Sequence, residues 1–156
     1  MRWLAVILFV TLAACTTKLD KAGRTESTVD PKYLLKSEVD RIADTNRAEV
    51  VNGLLLIADK LYKRNPKEWK KSGAVSREAA VERLRQRTYR NWPEFTGLRE
   101  GAVASLAFTE AYAGDRVMAL MYGLLSMVDA AFEHKEEFYI LDSLNELKLY
   151  NSARNM

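Results

Sequence analysis

Between Pro31 and Arg64, apolar or small residues fall at three- and four-residue steps or their sums: Leu35, Val39, Ile42, Val50, Gly53, Ile57 and Leu61. That period belongs to one face of an α-helix. The facing surface carries Lys36, Asp40, Asp44, Arg47, Lys60 and Lys63. Asp30-Pro31 supplies a favoured N-cap residue followed by proline at the first helical position. The pattern predicts one long amphipathic helix from about 31 to 64, apolar stripe toward the core, bent near Asn52-Gly53. Asn46 lies on the same stripe and reads as a buried amide bonded to backbone.

Shorter segments follow. Asn65-Pro66 stops the first helix and caps a turn over Lys67–Lys71, which Gly73 closes. Ser76 caps a helix over Arg77–Arg90, and Asn91-Trp92-Pro93 breaks it. A helix from about Leu98 to Ala113 is rich in Gly, Ala and Ser, which let helix axes approach closely. Phe108 and Tyr112, four residues apart, read as core contacts. Gly114-Asp115 is a sharp punctuation before a helix over Arg116 to about Glu137, and so short a turn predicts an antiparallel helical hairpin. Residues 138–141 could form a short extended piece, and a last helix spans about Leu144–Ala153. The expected fold is all-α: an irregular bundle of five to six helices, with one long N-terminal helix and an antiparallel hairpin, over residues 31–156.

Ahead of this domain the pattern changes. Arg2 precedes an apolar run from Trp3 to Val10, and Leu12-Ala13-Ala14 leads into Cys15, the single cysteine. This is the layout of a secretory signal. The run is shorter than the roughly 20 residues a membrane-spanning helix needs. Leu12-Ala13-Ala14-Cys15 resembles the lipobox of bacterial lipoproteins. That resemblance implies residues 1–14 as a removed signal peptide and Cys15 as the lipidated first residue, with acyl chains such as palmitate. In such Gram-negative lipoproteins an Asp after the cysteine favours the inner membrane. Thr16 stands there instead, which implies the outer membrane, facing the periplasm. Residues 15–30, with polar Thr, Lys, Ser and Glu and no periodicity, read as a flexible tether.

Composition fits an exported globular domain: 48% hydrophobic and 29% charged residues, net charge +3. The small net charge hides two opposed halves. Lys60 to Arg90 holds eleven basic residues against three acidic; Glu94 to Glu146 holds three basic against ten acidic. One reading is mutual cancellation by surface pairs. The other is a basic face, with Lys70, Lys71, Arg83, Arg85, Arg87 and Arg90 interleaved by Tyr62, Trp69, Tyr89 and Trp92. Such a face would meet an anionic lipid, a cell-wall polymer or an acidic envelope protein. Export and the small net charge argue against a nucleic-acid partner.

Candidate chemistry is sparse. His134 is the one imidazole, within Glu133-His134-Lys135-Glu136-Glu137. Asp129, Glu133 and Glu137 would form a four-residue ladder on a continuous helix, which reads as a solvated acidic face rather than a metal site. The sequence holds neither a Gly-x-Ser-x-Gly elbow nor a glycine-rich phosphate loop. No cofactor is expected, and a binding or structural role is expected rather than an enzymatic one. The alternative is a periplasmic carrier holding a lipid or other apolar ligand in a groove between helices. The texts Gly-Asp-Arg-Val-Met-Ala-Leu-Met from Gly114, Glu-Phe-Tyr-Ile-Leu-Asp-Ser-Leu from Glu137 and Leu-Tyr-Asn-Ser-Ala-Arg-Asn from Leu149 resemble uncharacterised helical lipoproteins of Gram-negative bacteria. That resemblance implies no activity.

Overall fold

The longest element, α1 (Glu38–Arg64), is set at its start by a capping box. Ser37 Oγ accepts from the Asp40 N–H at 3.2 Å, and Asp40 Oδ2 accepts from the Ser37 N–H at 2.7 Å. Two of the helix's unpaired N–H groups thereby find partners. The computed structural model describes residues 16–19, 25–28, 35–86, 92–95 and 97–155. The predicted cap at Asp30-Pro31 lies outside them, but Leu35–Ser37 are not part of α1, so the helix starts later than expected. Lys36 is held instead by Asp44 at 2.5 Å and Glu137 at 3.4 Å.

Asn65 closes α1, its N–H (2.9 Å) and its side-chain amide (3.1 Å) both donating to the Leu61 carbonyl, and also stands at the N-cap of the next helix, where its side chain makes no capping bond. Helix α2 (Pro66–Lys71) ends where Gly73 takes a φ of 69°. Helix α3 (Arg77–Gln86) starts at Ser76, whose hydroxyl accepts from the Ala79 N–H. The predicted continuation to Arg90 lies outside the described residues. After a 3₁₀ turn at Pro93–Phe95 come α4 (Glu100–Leu106), α5 (Arg116–Ala131) and α6 (Glu146–Asn155). The fold class is all-α, with six α-helices among the described residues. In the stretch read as a tether, β1 (Thr16–Leu19) pairs antiparallel with β2 (Thr25–Thr28). The threonines in both strands are β-branched and suit extended backbone.

Two predicted helices, α4 and α5, are shorter than their patterns suggest. Beyond Leu106 the N–H groups of Ala107, Phe108 and Thr109 bond three residues back instead of four, and the Ser105 and Thr109 hydroxyls compete for helix carbonyls. Phe108, expected in the core, is 76% exposed. Helix α5 stops at Ala131, six residues early. The Glu133 N–H reaches the Ala130 carbonyl and the His134 N–H the Asp129 carbonyl, a Schellman closure. It forces Glu133 and His134 to φ values of 54° and 60°. Residues 138–141 form a turn region, not a strand, and α6 starts at Glu146 rather than Leu144.

Helix α5 occupies the centre. Val117, Met118, Ala119, Met121, Tyr122, Leu125, Val128 and Ala131 are all buried on it. Helix α4 runs antiparallel to it, as the hairpin reading expects. A Cβ on Gly123 would lie 2.6 Å from Ala104 N and 2.7 Å from the Glu100 carbonyl, so this contact requires glycine. The buried Ser126 hydroxyl accepts from the Glu100 N–H at 2.8 Å and donates to the Gly123 carbonyl. Trp92 and Phe95 close one end of the core against the Tyr122 ring, at centroid distances of 5.0 and 5.1 Å.

Helix α1 meets α5 and α3 with Ala43, Leu54, Leu55, Ala58 and Tyr62, a different face from the predicted one. Leu35, Val39, Ile42, Val50 and Ile57, expected in the core, are exposed, and so is Asn46. Two apolar arcs lie side by side on the helix, and α3 and α5 cover only one. The folding free energy should separate them. Leu55→Ala is expected to destabilise by about 3 kcal/mol, and Ile42→Ser by less than about 0.5 kcal/mol. Urea unfolding of the two variants checks this; equal losses would mean that the outer arc is covered in the folded chain.

Candidate functional site

The basic half of the sequence divides into cations the fold uses and cations it leaves open. Arg83 is a structural tie: its guanidinium donates to the Ser72 carbonyl at 2.8 Å and to Glu94 at 2.9 Å, and sits 5.9 Å above the Trp92 ring. Lys71 bonds Glu68 at 2.7 Å, Arg85 lies 3.4 Å from Glu82, and Arg77 bridges Asp59 and Glu78. Lys70 lies over the half-buried Trp69 ring. Arg87, Arg90 and Tyr89 fall outside the described residues. Tyr62 and Trp92, expected to interleave the basic face, are 0% and 3% exposed and belong to the core. Their aromatic surface is worth more buried against neighbours than facing solvent.

Lys70 forms no ion pair among the described residues, and apart from it the open cations lie elsewhere. Lys60, Lys63, Arg64, Lys67 and Lys70 are exposed and form no ion pair among the described residues. They occupy the last two turns of α1 and the following short helix. They continue from the exposed apolar arc of α1, so apolar and basic surface adjoin on one element.

Behind this basic end lies a polar hub. Tyr62, fully buried on α1, donates its hydroxyl to Asp115 Oδ2 at 2.9 Å. Asp115 Oδ1 accepts from the Met118 N–H at 2.9 Å and so caps α5, as its position after Gly114 suggests. Glu68 of α2 takes the Arg116 N–H at 2.8 Å, and Lys71 in turn binds Glu68. Burial pushes the Asp115 carboxyl above its ordinary range, against the bonds from Met118 and Tyr62. Burial, with the Asp115 charge, likewise raises the Tyr62 phenol. Burial would raise Glu68 too, but its bonds from Lys71 and Arg116 outweigh this and hold it low. A cavity of about 350 Å³ opens beside the hub, lined by Ser72, Phe95, Tyr112 and Asp115 among others. Sequence reading found Asp115 as a cap but missed Tyr62 as its partner, because Tyr62 is off the apolar stripe.

At the far end of α5, Asp129 is buried and its Oδ2 lies 2.5 Å from His134 Nδ1, with Arg47 at 4.0 Å. The acidic ladder does not form, because α5 ends before Glu133. Glu133 pairs with Lys148 at 2.9 Å, and Glu137 accepts from the Tyr139 hydroxyl at 2.6 Å. Among the described residues no group of three His, Cys, Asp or Glu is placed to hold a metal. No described helix is long and apolar enough to cross a membrane. Cys15 lies outside the described residues.

Compared with family models, characterised proteins and solved structures, the chain matches none.

Proposed function

We propose that this chain is a lipid-anchored protein of the bacterial cell envelope, held through Cys15 at the outer membrane facing the periplasm, and that it works by binding rather than catalysis. The observation that carries the binding role is the surface of α1. Its outer arc exposes Val39 (67%), Ile42 (53%), Leu56 (56%) and Ile57 (47%) and ends in open cations. An exposed apolar arc beside charge on a folded domain, here crossed by the exposed Asn46 and Glu49, marks an interaction surface. The address rests on the Leu12-Ala13-Ala14-Cys15 text after the apolar run.

The carrier reading has in its favour a cleft between α4, α5 and α6, where Met127, Ala130 and Ala131 meet the polar Glu100, Lys148 and Asn151. At about 220 Å³ it is below the roughly 300 Å³ at which small-molecule pockets begin.

Metabolic labelling tests the anchor. The wild-type chain is expected to take up labelled palmitate and to sediment with envelopes, and Cys15→Ser to lose the label. An unlabelled wild type, or a Cys15→Ser chain labelled to the same extent, would remove the anchor from this reading. Photo-crosslinking from Lys63 and Lys67 in intact cells would identify what the open cations touch.

A further inference from the structure

We infer that the outer face of α1 lies flat on an anionic lipid surface, as a contact separate from any anchor. Apart from the anchor, this rests on the envelope address proposed above. From Val39 to Ile57 the exposed apolar arc runs about 27 Å along the helix. At its amino end Leu35 is 59% exposed, and the Ile140 N–H donates to the Leu35 carbonyl at 2.9 Å. This brings Ile140 (64% exposed) and Leu141 (96% exposed) to the same end. At its carboxyl end stand Lys60, Lys63, Arg64, Lys67 and Lys70. An apolar stripe with flanking cations is the arrangement of helices that rest in the headgroup layer.

Charge decides the occupant. A second copy docked on this arc would meet five open cations with few carboxylates of its own α1. Glu38 is engaged by Arg41, Asp40 by its capping box, Asp44 by Lys36 and Asp59 by Arg77, which leaves Glu49. A parallel copy would set like charges against each other. An anionic bilayer satisfies both parts of the face, taking the apolar side chains between its headgroups and the cations against its phosphates.

The test uses the full chain, with a single environment-sensitive dye attached through Ile42→Cys, Ile57→Cys or Ala48→Cys. The dye-labelled chains, with Cys15 acylated, are placed in vesicles of phosphatidylcholine alone or with phosphatidylglycerol. The dye at positions 42 and 57 is expected to shift to the blue and to be quenched by brominated lipid in the anionic vesicles. The dye at position 48, on the side of α1 away from Ile57, should report water. Lys60→Glu/Lys63→Glu/Arg64→Glu should bring the quenching down to the level in phosphatidylcholine alone, with circular dichroism unchanged. Without the anchor, in a Cys15→Ser background, the same triple change should weaken binding to anionic vesicles by about a hundredfold. Water-exposed dye at 42 and 57 in anionic vesicles overturns the inference. So does shielding that needs no vesicles and grows with protein concentration, since that identifies a second copy. Flotation tells the two readings apart: a Cys15→Ser chain that binds anionic vesicles through α1 upholds this contact even where palmitate labelling has removed the anchor.

Discussion

Asp115→Ala is expected to lower the unfolding free energy by about 3 kcal/mol, because one side chain holds two structures together. It caps α5 through the Met118 N–H, a bond whose loss costs about 1 kcal/mol. It also accepts the hydroxyl of Tyr62, which alanine would leave buried without this partner, at a further cost of about 2 kcal/mol. Asp115→Asn keeps one oxygen for the cap and turns an amide N–H toward the Tyr62 hydroxyl, which can accept it, and should lose less. The pair also separates by pH. Burial raises the folded carboxyl above its ordinary value of 3.8, so the unfolded chain gives up this proton first. The stabilising contribution is therefore full below the ordinary value and fades as pH rises through the raised one. Glu68 behaves oppositely: its lowered value gives stability at neutral pH that is lost as the solution becomes acid. Urea midpoints across the acidic range check both. Asp115→Asn should remove the Asp115 slope and leave that of Glu68; an unchanged profile would show that Asp115 is not the titrating group.

Gly123→Ala is expected to destabilise by about 2 kcal/mol, although alanine at a free helical position stabilises by about 1 kcal/mol relative to glycine. The new methyl would meet the backbone of Ala104 and Glu100 at under 3 Å, and backbone cannot swing aside as a flexible side chain can. Helices α4 and α5 must then part, an overpacking cost of up to about 3 kcal/mol. Gly53 on α1 is the control, since nothing lies within 4 Å of its would-be Cβ. Gly53→Ala should stabilise where Gly123→Ala destabilises. The same sign from both in urea unfolding would mean that α4 and α5 are less closely apposed than described.

These two residues also mark how far the sequence could be read. Asp115 was legible because Gly-Asp before an apolar run has a local cause, the need of a helix start for an acceptor. The close approach of α4 and α5 was legible from small residues for the same kind of reason, whereas the short turn expected at Gly114-Asp115 is instead a link over residues 107–115. Ile42 was not. Its spacing identifies an apolar arc but not which of two arcs the other helices cover, and that depends on residues far away, among them Leu84 and Tyr122. Helix ends also escaped, because Schellman closure at Glu133 and His134 uses left-handed backbone that neither residue advertises. The basic stretch was legible as charge, while its division into spent and open cations depended on where Ser72, Glu82 and Glu94 came to lie.

Helix α6 has no buried residue, yet it forms one wall of the cleft lined by Met127, Ala130 and Ala131. Little apolar surface holds it in place, so undocking this helix takes less free energy than opening any part of the α5 core. The volume of that cleft is thus a property of one docking equilibrium, and an apolar molecule bound there would act on the fold by shifting α6 between its seated and released states.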